Sequence, residues 1–115
     1  MDRRLVILVE FTLVPQTRAE FHRLVLENAA ASLHDEPGCR RFDVLVLEGE
    51  AGDRVVLYEI YDDAAAFDAH LATEHYARFA AATEALVRQK TVRYDLLAQA
   101  DYRYAVDGGR PQAAE

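Results

Sequence analysis

An α+β sandwich, one antiparallel sheet with helices on a single face, is the fold class this sequence predicts, and three observations predict it. Apolar, β-branched runs alternate with helix-period segments in the order strand, helix, two strands, a broken helix, strand. The loop Gly49-Glu50-Ala51-Gly52-Asp53 separates the two middle strands as a hairpin connection would. Capping residues stand where helices must begin, at Thr17, Asp63 and Thr73. Together these give the split βαβ order of a ferredoxin-like fold.

Each element has its own warrant. Arg4 to Leu13 is almost continuously apolar, as in a central strand buried on both faces. Thr17 and Glu20 have the spacing of a capping box for a helix reaching about His34, with Phe21, Leu24, Val25, Asn28 and Ser32 on its inner stripe. Asp35 to Gly38 is a turn. Arg41 to Glu48 and Arg54 to Tyr61 are antiparallel neighbours. Asp62 and Asp63 cap a short helix from about Ala64 to Leu71, and Thr73 caps a second running to about Arg88, with Tyr76, Phe79, Ala80 and Thr83 turned inward. A long strand from Thr91 to about Tyr104 closes a domain spanning residues 1–104, and residues 105–115 have the composition of a disordered C-terminal tail.

In the first strand Leu5, Ile7 and Val9 alternate with Val6 and Leu8, so both faces are apolar. Helices on one face leave the other bare, and a second copy of the sheet is the economical cover. The expectation is a homodimer built as a dimeric α/β barrel, with the end of the last strand crossing to the partner.

Composition excludes several classes. A chain of 115 residues supports one core. Its net charge of −7 and scattered basic residues argue against nucleic acid as a partner. No apolar run approaches the roughly 18 residues of a membrane span. The N-terminus lacks a secretory pattern, so a cytoplasmic location is expected. Cys39, the lone cysteine, can form neither an internal disulfide nor a thiolate cluster, and reads as a small buried residue.

Few residues invite chemistry. Asn28 sits on an inward helical stripe, where an amide needs a polar cavity or a backbone partner. His75 lies in the first turn after Thr73, where the helix dipole disfavours protonation and suits a general base. His70 lies at the end of the preceding helix, where the dipole has the opposite sign. Their spacing straddles a helix break and no third ligand is near in sequence, so no metal and no cofactor are expected. Asp43 and Glu59 lie within the hairpin strands. If register puts them on one face, repulsion and burial raise one pKa and create a proton acceptor; otherwise they are edge residues bridged to arginines. Tyr58, Tyr61, Tyr76 and Phe79 are core aromatics that could also wall a planar small-molecule substrate.

Two stretches carry a family resemblance. Glu36-Pro37-Gly38-Cys39 runs into Phe42-Asp43-Val44-Leu45. Tyr58-Glu59-Ile60-Tyr61 is followed by Phe67, His70, Thr73 and His75-Tyr76. Over about residues 4 to 100 the chain resembles the antibiotic biosynthesis monooxygenase domain family. The resemblance implies a ferredoxin-like dimeric barrel and a cofactor-independent activity. Haem-degrading members carry tryptophan where Tyr61 stands and histidine where Ala80 aligns, and this chain has no tryptophan. The likeness is closer to the quinol monooxygenase and autoinducer-2 isomerase branch, which shares His70, His75 and Asn28. Three functions follow as expectations: oxygenation of a small quinol or phenol, isomerisation of a small dicarbonyl, with Arg41, Arg78 or Arg93 aimed at the phosphate where the substrate is phosphorylated, or ligand binding without catalysis.

Overall fold

The computed structural model describes residues 3–101. Four strands, β1 (Leu5–Leu13), β2 (Cys39–Leu47), β3 (Arg54–Tyr61) and β4 (Val87–Leu96), form one antiparallel sheet in the order β2-β3-β1-β4. The helices are α1 (Arg18–Asp35), α2 (Ala64–Leu71) and α3 (Glu74–Thr83). This is the predicted ferredoxin-like α+β fold. Among the described residues no helix is long and apolar enough to cross a membrane.

β1 is central, pairing with β3 and β4, and its two faces have different fates. Ile7, Val9, Phe11 and Leu13 point under the helices and are buried. They meet Phe21 and Val25 of α1 and Phe79 of α3. Phe11, Phe21 and Phe79 lock sheet to helices, with ring centroids 4.9, 5.8 and 6.2 Å apart in tilted and edge-on geometry. On the opposite face the centre is apolar, with Leu8 beside Tyr58 and Val56 beside Leu45, the last 52% exposed. The flank contributed by β4 is polar there, because Thr91 and Arg93 stand next to Glu10 and Leu8.

Two of the three caps form as predicted. Asp63 accepts a hydrogen bond from the Ala66 amide at 2.8 Å, and Thr73 accepts one from the Tyr76 amide at 3.1 Å. The Thr17 capping box does not form. The Thr17 hydroxyl instead donates to the Val14 carbonyl at 2.8 Å, tying down the loop before α1 rather than the helix itself.

The end of α3 also differs from expectation. The helix stops at Thr83, a short 3₁₀ turn covers Glu84–Leu86, and β4 begins at Val87 rather than Thr91. Ala80 faces outward. Local propensity allowed the helix to continue, but Val87 to Leu96 are held by pairing with β1, and the Val14 amide captures the Leu86 carbonyl at 2.8 Å. β4 ends at Leu96, short of the expected strand to Tyr104: the Leu97 amide donates to the Arg4 carbonyl at 2.8 Å and residues 97–101 leave the ladder, while 102–104 and the tail at 105–115 lie outside the described residues.

Gly38 is required by a close approach. A Cβ there would lie 2.5 Å from the Ala66 Cβ at the start of α2, and the Gly38 carbonyl accepts from the Asp62 amide at 2.9 Å. Gly38→Ala is expected to destabilise the fold by roughly 1–3 kcal/mol in urea unfolding. Adding Ala66→Gly should recover much of that loss, whereas a fully stable Gly38→Ala would show that the approach has slack.

Candidate active site

A cavity of about 160 Å³ lies between the sheet and the helices. Its floor is Ile7, Val9, Phe11 and Leu57, and its walls include Phe67, Tyr76, Phe79 and Tyr94. Four polar side chains interrupt this apolar lining: Asn28 from α1, Glu59 from β3, His70 from α2 and Lys90 from β4. A largely apolar recess with a few convergent polar groups is the usual form of a small-molecule site.

His70 is the most tightly specified of the four. It is 2% exposed and its ring lies among Phe67, Tyr61 and Tyr76, with centroids 6.0, 5.3 and 5.1 Å away. Its Nδ1 lies 2.9 Å from Glu36 Oε2. A carboxylate only accepts, so the ring proton sits on Nδ1 and the Nε2 lone pair is free to act as a base. The expectation that the end of α2 favours protonation is overturned: burial lowers the His70 pKa and outweighs the Glu36 carboxylate, which raises it.

His75 occupies the predicted first turn of α3, but it does not line this cavity. Its Nε2 donates to Glu36 Oε2 at 2.5 Å, and the ring borders a smaller recess of about 110 Å³ with Leu24, Arg78 and Asn28. Glu36 therefore accepts from both histidines. Spacing along the chain puts Glu36 only in a turn and offers no third ligand near the pair. The α1 C-terminus supplies that third group, and the donor atoms of Glu36, His70 and His75 all lie within 4.8 Å of one another. The available signal was the acidic residue just before Pro37-Gly38, at a helix end facing α2.

Asn28 is where its helical period predicted, 3% exposed and shared by both recesses. Its Oδ1 is buried without a hydrogen-bond partner. An unpartnered buried carbonyl costs about 1–3 kcal/mol, which a ligand hydroxyl would recover. Beneath Asn28, Ser32 donates to the Asn28 carbonyl at 2.8 Å and lies 3.4 Å from His70 Nδ1.

The carboxylate pair expected from the hairpin does not form. Register pairs Glu59 with Phe42 and Asp43 with Tyr58, so Glu59 faces the helices and Asp43 faces the other side. Asp43 accepts from Arg41 at 2.8 Å, and the Arg41 guanidinium lies over the Tyr58 ring at 5.3 Å. Asp43 and Tyr58 are therefore remote from the cavity, because a one-residue step in a strand exchanges faces. Tyr61 is fully buried and acts indirectly, donating to Glu59 Oε1 at 2.6 Å. Burial raises the Glu59 pKa to about 7 despite the Tyr61 hydrogen bond. Tyr76 and Phe79 do line the cavity, as walls rather than as plugs.

A family model described as antibiotic biosynthesis monooxygenase matches residues 4–82. The chain belongs to the antibiotic biosynthesis monooxygenase family. Solved structures agree with this domain in fold. A provisionally named antibiotic biosynthesis monooxygenase from Bacteroides thetaiotaomicron is 24% identical and superposes with a TM-score of 0.77, covering 84% of this chain and 91% of its own. One from Nitrosomonas europaea is 23% identical with a TM-score of 0.78, covering 85% and 93%. A protein from Pseudomonas aeruginosa is 27% identical with a TM-score of 0.71, covering 88% and 98%. Among curated proteins none matches this chain. In this antibiotic biosynthesis monooxygenase domain the two motif stretches meet at His70: the second also sends Glu59 into the cavity, and the first delivers Glu36, which joins His70 and His75 beside it.

Proposed function

We propose that this domain is a cofactor-independent monooxygenase for a small quinol or phenol, working as a cytoplasmic homodimer whose subunits pack through the apolar centre around Leu8, Leu45 and Tyr58. The observation that carries this reading is the cavity in which His70, Asn28 and Glu59 interrupt aromatic walls. His70 Nε2 takes a phenolic proton, Asn28 Oδ1 accepts from a substrate hydroxyl, and the aromatic walls hold the ring flat. Cavities of about 150 Å³ hold a single benzene ring, so a monocyclic substrate fits best.

The reaction balances without an added reductant. The phenolate passes one electron to dioxygen, the radical pair combines at the adjacent ring carbon, and the resulting hydroperoxide loses water to leave a carbonyl. A hydroquinone and dioxygen thus become a hydroxyquinone and water, with both oxygen-reducing electron pairs drawn from substrate. In this reading the buried Glu59, its pKa raised to about 7, returns a proton to the departing oxygen.

Lys90 supports a second reading. Arg41 lies on the far face, Arg78 borders the smaller recess and Arg93 borders a groove on the outer sheet face. Among the described residues Lys90 is the cation at the cavity itself, with Nζ 5.6 Å from the Phe11 ring centre. An anionic dicarbonyl could then be isomerised by the same His70. Oxygen separates the two. With methylhydroquinone and isotopically labelled dioxygen, the expected product is a hydroxyquinone carrying one labelled atom, formed faster than by autoxidation. Turnover undiminished under argon would overturn the oxygenase.

A further inference from the structure

We propose that Glu36, His70 and His75 form a binding site for one divalent d-block cation such as zinc or cobalt. Spacing along the chain hides this set, because Glu36 closes α1 while the histidines lie on α2 and α3. Tertiary packing brings their donor atoms within 4.8 Å of one another. Two imidazoles and a carboxylate are the ligand set of three-ligand zinc sites, with a fourth position left for water.

The site is built rather than incidental. The Glu36, His70 and His75 side chains are only 10%, 3% and 11% exposed. Glu36 is fixed at the helix end by its amide, which donates to the Ser32 carbonyl at 3.1 Å. His70 is oriented by its aromatic neighbours, and the Ser32 hydroxyl stands beside its Nδ1. Tetrahedral ligands at about 2.1 Å from a metal stand about 3.4 Å apart. Glu36 Oε2 lies 2.9 Å from His70 Nδ1 and 2.5 Å from His75 Nε2, so a cation in place of the two shared protons requires these pairs to open by less than about an ångström and the widest donor pair, within 4.8 Å, to close by up to about 1.4 Å.

The proposal does not depend on the oxygenase reading, but it bears on it. A cation on His70 Nδ1 moves the ring proton to Nε2, which turns that nitrogen from acceptor to donor. Metal and base catalysis at His70 would then exclude each other.

The test is titration of the metal-free full chain with cobalt(II), followed by visible ligand-field absorption and calorimetry, with zinc(II) as competitor. One equivalent should bind with the intense bands of a tetrahedral site, and zinc should abolish them. Glu36→Gln and His75→Ala should each weaken binding at least about tenfold. His34→Ala should not, although His34 and Asp35 form an exposed pair that could attract cations adventitiously. Absence of binding by wild type, binding undiminished in Glu36→Gln, or binding lost with His34 would each overturn the site. If His75→Ala fails to fold, the shape-conserving Glu36→Gln decides.

Discussion

Replacing His70 with asparagine is expected to lower kcat on methylhydroquinone by roughly 10²- to 10⁴-fold, the usual contribution of a general base, while the domain stays folded. The variant separates the two nitrogens of the imidazole. An asparagine amide can occupy the place of Nδ1 and keep donating to Glu36, but it has no atom at the position of Nε2. His70→Ala is a poorer probe, because it removes a donor from the buried Glu36 carboxylate and leaves a void between Phe67 and Tyr76. His75→Ala should reduce kcat less than His70→Asn, since His75 reaches Glu36 but not the larger cavity. A folded His70→Asn variant with wild-type kcat would remove His70 from the chemistry.

The second large effect concerns stability and pH. Glu59 is 4% exposed, and burial raises its pKa from an ordinary 4.5 to about 7. Below pH 4.5 both folded and unfolded chains hold this proton. Between about 4.5 and 7 the unfolded chain releases it and the folded chain retains it, so this group makes stability fall as pH rises, levelling off above 7. At about 1.4 kcal/mol per pH unit, the loss amounts to roughly 3 kcal/mol. Glu59→Gln keeps an oxygen to accept from the Tyr61 hydroxyl and removes the ionisation. Urea unfolding at fixed protein concentration should therefore find Glu59→Gln more stable than wild type at pH 8 by up to about 3 kcal/mol, with the advantage vanishing near pH 4. Parallel pH profiles for the two proteins would show that Glu59 is solvated or stabilised by another partner.

The same carboxylate shows where a linear reading stops. Asp43 and Glu59 are alike in sequence, both acidic within an apolar strand, yet one is bound to Arg41 at the surface and the other is buried beneath the helices. Strand alternation says that neighbours on one strand take opposite faces, but not which residue on one strand faces which on the next. The hairpin register settles this by pairing Asp43 with Tyr58. It removes two candidate substrate contacts and leaves Glu59 as the acid in the cavity.

Asn28 was legible for the opposite reason. Helical period alone assigns it to the face that carries Phe21, Val25 and Ser32, so its burial required no knowledge of what lies beneath. The caps at Asp63 and Thr73 were equally local, and so was the order of elements that specifies a ferredoxin-like sheet. Glu36 was not legible in this way. Its importance comes from meeting side chains 34 and 39 positions away, on two other helices. The end of α3 follows the same division, since pairing of Val87 and its successors with β1 ended a helix that propensity would have continued. Short-range periodicity and capping thus determined the elements and the inward position of Asn28. Long-range strand register and helix packing decided that His70 faces the cavity, that His75 turns away from it, and that Glu36 joins them.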